Sequence, residues 1–122
     1  MNESGSEKGD TPAQAAFRLE QLEGELAATE GPYLPFFDSR SLRLGLYALP
    51  AGARDDQPVH DDDEIYHVVA GRATLWVGDE DGEDTLIPVE PGAIVFVRAG
   101  VEHRFIDIEE DLEVLVIFGA TP

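Results

Sequence analysis

Three side chains that commonly bind metals stand at or just before the starts of two predicted strands. His60 lies four residues before Glu64, which opens a strand over residues 64–70, and His103 opens a later strand over residues 103–108. Two neutral imidazoles and one carboxylate form a ligand set that leaves coordination positions open for water or substrate. The sequence therefore predicts a divalent-metal site at these three residues. The alternative is a hydrogen-bonded or ion-paired cluster without a metal.

A block of acids, Asp61–Asp63, separates the first two candidate ligands. In a chain with a net charge of −18 such a block is expected to be solvated surface rather than part of the ligand set. Its charge would still raise the cation concentration near the site.

The predicted sheet carries apolar side chains on the face opposite the candidate ligands. Side chains alternate along a strand, so His67 is expected to face outward with Ile65 and Val69 rather than to bind metal. Trp76 stands between Leu75 and Val77, and because side chains alternate along a strand it is expected on the face opposite them, the same outer face as His67. An apolar patch of this kind indicates a homodimer.

The segments that position these residues have the pattern of short strands. They are rich in β-branched residues, and the predicted strands cover residues 41–49, 64–70, 73–78, 84–90, 93–97, 103–108 and 112–118. Turn residues separate them at Gly71, 78–82, Pro91-Gly92, Ala99-Gly100 and Glu109–Asp111. Short strands at intervals of about 8–12 residues are typical of an all-β sandwich or barrel.

The N-terminal part of the chain has a different composition. Residues 1–16 are rich in Gly, Ser, Glu, Ala and Asp without an apolar period, which predicts a disordered tail. Residues 17–30 predict a short strand followed by a short helix, ended by Gly31-Pro32. The folded domain is therefore expected to span residues 17–122.

The spacing of glycines and candidate ligands resembles that of a small single-domain cupin. The first cupin motif is G-x5-H-x-H-x3-E-x6-G, and its positions fall here on Gly52, Pro58, His60, Glu64 and Gly71. The second motif is G-x5-P-x-G-x2-H-x3-N, and its positions fall on Gly92, Arg98, Gly100, His103 and Asp107. Every spacing is kept, and seven of the ten positions carry the motif residue.

The resemblance implies a double-stranded β-helix, or jelly-roll, barrel with a metal in its mouth. Of the ligands that the family uses, His60, Glu64 and His103 are retained, while Pro58 replaces the first histidine and cannot bind a metal. Gln57 adjoins the vacated position and is the favoured fourth ligand, ahead of Asp62 or water. The resemblance implies one divalent ion, and Fe, Mn, Ni, Zn and Co all remain open.

The resemblance allows several functions for such a metal site. A dioxygenase-like enzyme acting on a small molecule is favoured because the ligand set suits non-haem Fe(II); isomerases, epimerases, decarboxylases and lyases are other members of the family. In an enzyme, Tyr66 or Tyr47 is the candidate proton shuttle. The alternatives are a non-catalytic sensor that binds a small molecule and a metal-free structural cupin.

Three further residues are candidates for contact with a substrate. Phe96 and Phe105 are expected to line the barrel interior together with Tyr66. Arg43 shares a strand face with Tyr47, and an inward arginine needs an acid or an anionic substrate as its partner.

The composition excludes several classes of partner. The 122 residues include 26 acids against 8 basic residues, and such a field repels nucleic acid and anionic membranes. No cysteine, signal sequence or long apolar stretch is present, so a cytoplasmic location is expected. The near-absence of lysine favours adaptation to high intracellular salt, and the alternative is an ordinary acidic protein; equal thermal stability in low and molar KCl would refute the first hypothesis.

Overall fold

The computed structural model describes residues 11–79 and 81–119, which form one helix and six strands. In chain order the elements are α1 (Leu19–Ala27), β1 (Tyr33–Asp38), β2 (Leu42–Leu49), β3 (Asp63–Val77), β4 (Thr85–Val89), β5 (Ile94–Val97) and β6 (His103–Gly119). The predicted all-β class with a short N-terminal helix is confirmed. In the described ranges, no helix is long and apolar enough to cross a membrane.

All strand pairs are antiparallel, and the two longest strands organise the sheet. The order is β1-β2-β6-β3-β4, and β5 pairs with the first half of β3. Along the β3–β6 pair, Glu64 lies opposite Phe118 near one end and Val77 lies opposite His103 at the other. Glu64 and His103 nevertheless touch each other. The long strand pair therefore curls until its two ends meet, which closes the barrel around the candidate ligands.

The concave side of this sheet holds the main core. Residues that alternate inward along β3 and β6 are almost fully buried, and they include Tyr66, Val68, Phe105, Val114 and Val116. The same alternation turns Glu64 and His103 inward, so the candidate ligands stand on the rim of the core.

The structure corrects two predicted turns. Gly71 lies inside β3, and residues 109–111 lie inside β6, where turns between separate strands were predicted. Register shifts between Val68 and Thr74 bend the strand pair here. Gly71 has φ +93, and a Cβ on it would lie 2.2 Å from the carbonyl oxygen of Asp111. A sharp bend within a strand and a turn between two strands both require a backbone conformation that glycine adopts easily. A glycine in the sequence therefore does not distinguish the bend from the turn.

The N-terminal predictions are partly corrected. Phe17 precedes α1 and lies in no strand; its ring contacts the rings of Phe36 and Phe37 instead. Strand β1 was not predicted at all. Of the predicted tail over residues 1–16, residues 1–10 lie outside the described ranges, and residues 11–16 form neither helix nor strand.

Helix α1 covers one end of the convex face of the sheet. Leu22 and Leu26 lie one turn apart and pack with Leu46 of β2 into a second, smaller core. At the margin of this contact Glu113 of β6 lies beside Glu23 of the helix. Burial and the neighbouring carboxyl of Glu23 raise the pKa of Glu113 to about 7.

The raised pKa of Glu113 predicts a pH-dependent stability. Because the folded chain holds this proton more tightly than the unfolded chain, its stabilising contribution is complete below about pH 4.5 and is lost as the pH rises through about 7. We expect Glu113→Gln to raise the melting temperature by a few degrees at pH 8.5 but not at pH 4. Glu23→Gln should give part of the same gain, and equal effects of Glu113→Gln at both pH values would contradict the assignment.

The other end of the convex face is exposed and apolar. Pairing places Phe96 beside Ile65 and Ile94 beside His67, with all four side chains outward. Phe96 is 60% exposed and Ile94 is 71% exposed, so the prediction that Phe96 lines the barrel interior is wrong. The physical reason is the register: Val97, not Phe96, lies opposite inward-facing Glu64.

We propose that a second copy of the chain covers this outer patch, defined as Ile65, His67, Ile94 and Phe96. The four residues include no acid, which allows two chains of charge −18 to approach there. The expected result is sedimentation at twice the 13.3 kDa chain mass at micromolar concentration. Phe96→Glu should yield monomers, whereas exposed Leu86→Glu on β4 should not. A monomeric wild type would contradict the proposal.

Candidate functional site

His60 and His103 lie at the ends of two loops, and hydrogen bonds from backbone amides hold these loops together. The amide of Gly100 donates to the carbonyl of His60 at 2.9 Å, and the amide of Ala99 donates to Asp63 Oδ1 at 2.8 Å. Gly100 has φ +82, as its predicted turn position requires. These bonds fix the segment before β3 against the segment before β6, so that His60 and His103 open onto the same space.

Glu64 and His103 form a buried pair at the centre of this space. They are 2% and 4% exposed, and His103 Nε2 lies 2.8 Å from Glu64 Oε1. The other ring nitrogen of His103, Nδ1, lies 2.8 Å from the carbonyl oxygen of Val101, to which it donates. Among the described residues, only Glu64 Oε2 and Glu113 Oε2 are buried side-chain polar atoms without a hydrogen-bond partner. The pair therefore offers one unpaired oxygen to a cation, and His103 Nε2 becomes a second donor when the cation displaces its proton.

The contact with Glu64 also affects the pKa of His103. Burial by itself lowers the pKa of the imidazole, but the hydrogen bonds with Glu64 and Val101 outweigh it and hold that pKa above its usual range. Without another cation, a proton on His103 balances the carboxylate of Glu64.

Gln57 occupies the place beside the vacated histidine position. Its Oε1 lies 3.3 Å from His60 Nε2 and accepts a hydrogen bond from the Tyr66 hydroxyl at 3.1 Å. The Tyr66 hydroxyl also lies 2.8 Å from His103 Nε2. The structure therefore joins the two histidines through an amide and a phenol, and the ring centroids of His60 and His103 are 6.2 Å apart.

The donor set fits a divalent cation in its chemistry, although the ring centroid of His60 lies 6.2 Å from that of His103. Within residues 11–79 and 81–119, no three His, Cys, Asp or Glu side chains converge closely enough to form a metal cluster. The unpaired Oε2 of Glu64 and the Nε2 of His103, with its Nδ1 fixed by a backbone carbonyl, are the groups a metal would use. His60 Nε2 and Gln57 Oε1 complete a set of two imidazoles, a carboxylate and an amide oxygen.

Asp55 supports this arrangement, and no sequence pattern predicted it. The side chain is 3% exposed and accepts hydrogen bonds from the Tyr47 hydroxyl at 2.5 Å and the Phe105 amide at 2.8 Å. Its Oδ2 also accepts from Gln57 Nε2 at 2.8 Å. This last bond turns the amide so that its oxygen faces His60 and Tyr66. Nothing in the sequence distinguishes Asp55 from exposed Asp56 or from the chain's other acids.

The two candidate tyrosines have different surroundings. Burial raises the pKa of Tyr66, with a further contribution from Glu64, and its hydroxyl lies within the site. Burial and the hydrogen bond to Asp55 raise the pKa of Tyr47. The Tyr47 hydroxyl is thus engaged in holding Asp55, which gives it a supporting position, while Tyr66 stands beside the candidate ligands.

Phe105 and Arg43, which were predicted to contact a substrate, both lie near the site. Phe105 is buried, and its ring packs edge-on against Tyr66 at 5.0 Å, where it supports the site from the core. Arg43 meets an acid: it pairs with Asp62, and its guanidinium lies 4.7 Å from the centroid of the Phe118 ring. Asp61 and Asp63 are exposed, as expected for a solvated acidic block, and Asp62 and Asp63 have in addition the defined partners Arg43 and the Ala99 amide.

The fold and the family are supported by comparisons with known proteins. The chain is 50% identical over 104 residues to "Uncharacterized protein SCO3923" of Streptomyces coelicolor, covering 85% of this chain and 94% of that protein. It superposes on the crystal structure of BH2720 from Bacillus halodurans with a TM-score of 0.69 at 17% identity, covering 90% and 85% of the two chains.

A larger structural neighbour contains the same barrel as part of a longer chain. The S161A mutant of Bacillus subtilis oxalate decarboxylase OxdC superposes with a TM-score of 0.68 at 22% identity, covering 75% of this chain and 26% of that one. At such identities the likeness concerns the fold alone. The sequence profile described as "Cupin domain" matches residues 45–118, which include both motifs and all the candidate ligands. The chain belongs to the cupin family.

Proposed function

We propose that this cupin binds one divalent cation in the barrel mouth, through Glu64 and His103, with His60 and Gln57 as further ligands. The observation that carries the proposal is the unpaired, buried Oε2 of Glu64 beside His103. Buried carboxylate oxygens almost always have partners, because the cost of burying them alone is large. A cation supplies that partner without additional residues.

The surroundings of His103 support the same proposal. Metal-binding histidines usually donate their second ring N–H to a carbonyl or carboxylate, which orients the ring and its lone pair. His103 makes such a bond to Val101. Gln57 is oriented in a comparable way, since Asp55 holds its amide nitrogen and leaves its oxygen toward the site.

The proposed reaction class is a metal-dependent oxidation of a small molecule. A bound metal would act there as a Lewis acid or as the site of oxygen chemistry. The chain's own contribution is to exclude water through the apolar core below the site and to place the Tyr66 hydroxyl where it can hold or pass a proton. An oxalate decarboxylase has a similar fold, and a fold does not decide the reaction, so turnover has to be measured.

Calorimetric titration with Mn²⁺ tests the metal site. Wild-type protein treated with EDTA and then desalted is expected to bind about one equivalent, and Glu64→Gln should weaken binding at least tenfold, about 1.4 kcal/mol. Glu102→Gln is the matched control because Glu102 is exposed and lies one residue before His103. Less than about 0.1 equivalent in the wild type, or equal binding by both variants, would support a metal-free cupin instead.

Anaerobic reconstitution with Fe(II), followed by an oxygen-uptake screen on phenolic and keto-acid substrates, tests the reaction class. We expect substrate-dependent uptake by the wild type and none by Glu64→Gln. Tight metal binding without any turnover would contradict the enzyme proposal and favour the sensor.

A further inference from the structure

An apolar cavity adjoins the candidate metal ligands His60 and Gln57. Its volume is ≈ 240 Å³, and Gln57 and His60 border it at the end nearest the site. A larger groove of ≈ 510 Å³ lies at Trp76 and Asp84, is lined by several acids and does not border these ligands. The cavity at His60 is thus the space from which a small molecule would reach the ligands.

The cavity wall is mainly carbon surface and contains three aromatic rings. Tyr33 and Tyr47 meet edge to face with centroids 6.2 Å apart, and Phe118 lies across from them in the same lining. Pro58, which stands where the family has its first histidine, adds a further apolar surface. The substitution therefore removes a ligand and at the same time extends an apolar wall. Aromatic walls of this kind favour a ring as their occupant.

The size of the cavity limits the occupant. A volume of ≈ 240 Å³ equals that of about eight water molecules at about 30 Å³ each. It lies below the range of about 300–1,000 Å³ that holds drug-sized ligands. A single six-membered ring with one or two substituents matches this space.

The charges around the cavity favour an uncharged occupant. Arg43 is the cation of the lining, and Asp62 already neutralises it while Phe118 covers one face of its guanidinium. An anionic ligand would have to displace Asp62 and to approach a chain of charge −18. A cationic ligand would be drawn to the acidic surface but would meet Arg43 and apolar rings inside.

We propose that this cavity binds an uncharged, single-ring molecule whose hydroxyl or carbonyl oxygen points toward Gln57 and His60. The direction of that oxygen rests on the proposed metal function, whereas the apolar fit of the ring does not. The Arg43–Asp62 pair closes the polar side of the cavity, so the pair discriminates against carboxylates instead of recruiting them. Phenol is the smallest probe that has these properties.

Titration of ¹⁵N-labelled protein with phenol, benzoate and benzylamine, followed by amide chemical shifts, tests the proposal. Phenol is expected to give saturable shifts at Tyr47 and Phe118, with an affinity at least tenfold higher than those of the other two. Tighter binding of benzoate would assign Arg43 to an anionic ligand and overturn the proposal. Tighter binding of benzylamine, or no saturable phenol binding, would overturn it as well.

Two cavity-filling variants locate the binding. Val116→Met and Val116→Phe place side chains of increasing size into the cavity, and each is expected to weaken phenol binding, the second at least tenfold. Ile117→Phe, whose side chain faces the opposite side of β6, is the matched control. Circular dichroism shows whether each variant folds; phenol binding that persists in folded Val116→Met and Val116→Phe would overturn the proposal.

The titration is run on EDTA-treated and on Mn²⁺-loaded protein to separate the two proposals. Failure of Mn²⁺ to bind would overturn the metal function alone, because the ring should still enter the cavity. Loss of phenol binding with intact Mn²⁺ binding would overturn the cavity proposal alone.

Discussion

Asp55→Ala is expected to lower the free energy of unfolding by about 3–5 kcal/mol, the largest effect that we predict for a single side chain. The variant removes the acceptor of four donors: the buried Tyr47 hydroxyl and Phe105 amide, and the half-buried backbone amide and side-chain nitrogen of Gln57. For a domain whose total stability is about 5–15 kcal/mol, this is a large fraction. Urea denaturation followed by circular dichroism measures it.

The neighbouring acid supplies the control for this prediction. Asp56 is exposed and pairs with exposed Arg54, so Asp56→Ala should change the unfolding free energy by less than about 0.5 kcal/mol. Asp55→Asn, which keeps the shape and one acceptor oxygen, should fall between the two. Equal stabilities of the Asp55→Ala and Asp56→Ala variants would contradict the supporting role of Asp55.

Pro58→His is expected to tighten Mn²⁺ binding at least tenfold, about 1.4 kcal/mol. Residue 58 borders the cavity together with Gln57 and His60, so an imidazole there stands beside the ligands already present. It also restores the histidine of the first cupin motif. Loss of the proline ring is expected to cost about 0.4–1 kcal/mol of stability in the metal-free protein, because the unfolded chain gains freedom. Calorimetry gives the affinity, and thermal melting gives the stability.

Val59→His is the matched control for this gain. Val59 is the next residue and is half exposed, and it is not part of the cavity lining. A surface histidine there should leave Mn²⁺ affinity within about threefold of the wild type. Equal tightening by Val59→His and Pro58→His would show that any added histidine suffices, and it would contradict the placement of residue 58 in the site.

The motif spacing predicted that Glu64 and His103 lie together, because the resemblance to cupins implies a barrel that brings the two motifs to one place. Glu64 and His103 are 39 residues apart in the sequence, and the structure brings their side chains to 2.8 Å. Alternation along β3 also separated inward Glu64 and Tyr66 from outward His67. The alternation depends on local strand geometry, which short-range patterns record well, whereas the meeting of Glu64 and His103 was predicted through the resemblance to the cupin motifs.

Features that depend on pairing between strands were not predictable in the same way. Phe96 was expected inside, but its direction is set by the register of β5 against β3. Strand β1 contains Pro35 and lacks a clean alternation, and it is tolerated as a strand because it lies at the edge of the sheet. Gly71 marks a bend whose partner, Asp111, is far away in sequence.

The sequence did not show which acids support the site, because acids are common throughout the chain. Asp55 is one of 26 acids, and only the fold shows that it is buried under Tyr47 and Gln57. The same holds for Asp62 and Asp63, which the sequence presents as one acidic block but which bind Arg43 and the Ala99 amide separately.

Anomalous diffraction at the manganese absorption edge, from crystals grown with Mn²⁺, tests the central claim most directly. The account predicts one anomalous peak in the barrel mouth, within bonding distance of a Glu64 carboxylate oxygen and of His103 Nε2. No peak at this place, with His103 Nε2 still 2.8 Å from Glu64 Oε1, would show that a proton and not a metal balances the buried carboxylate.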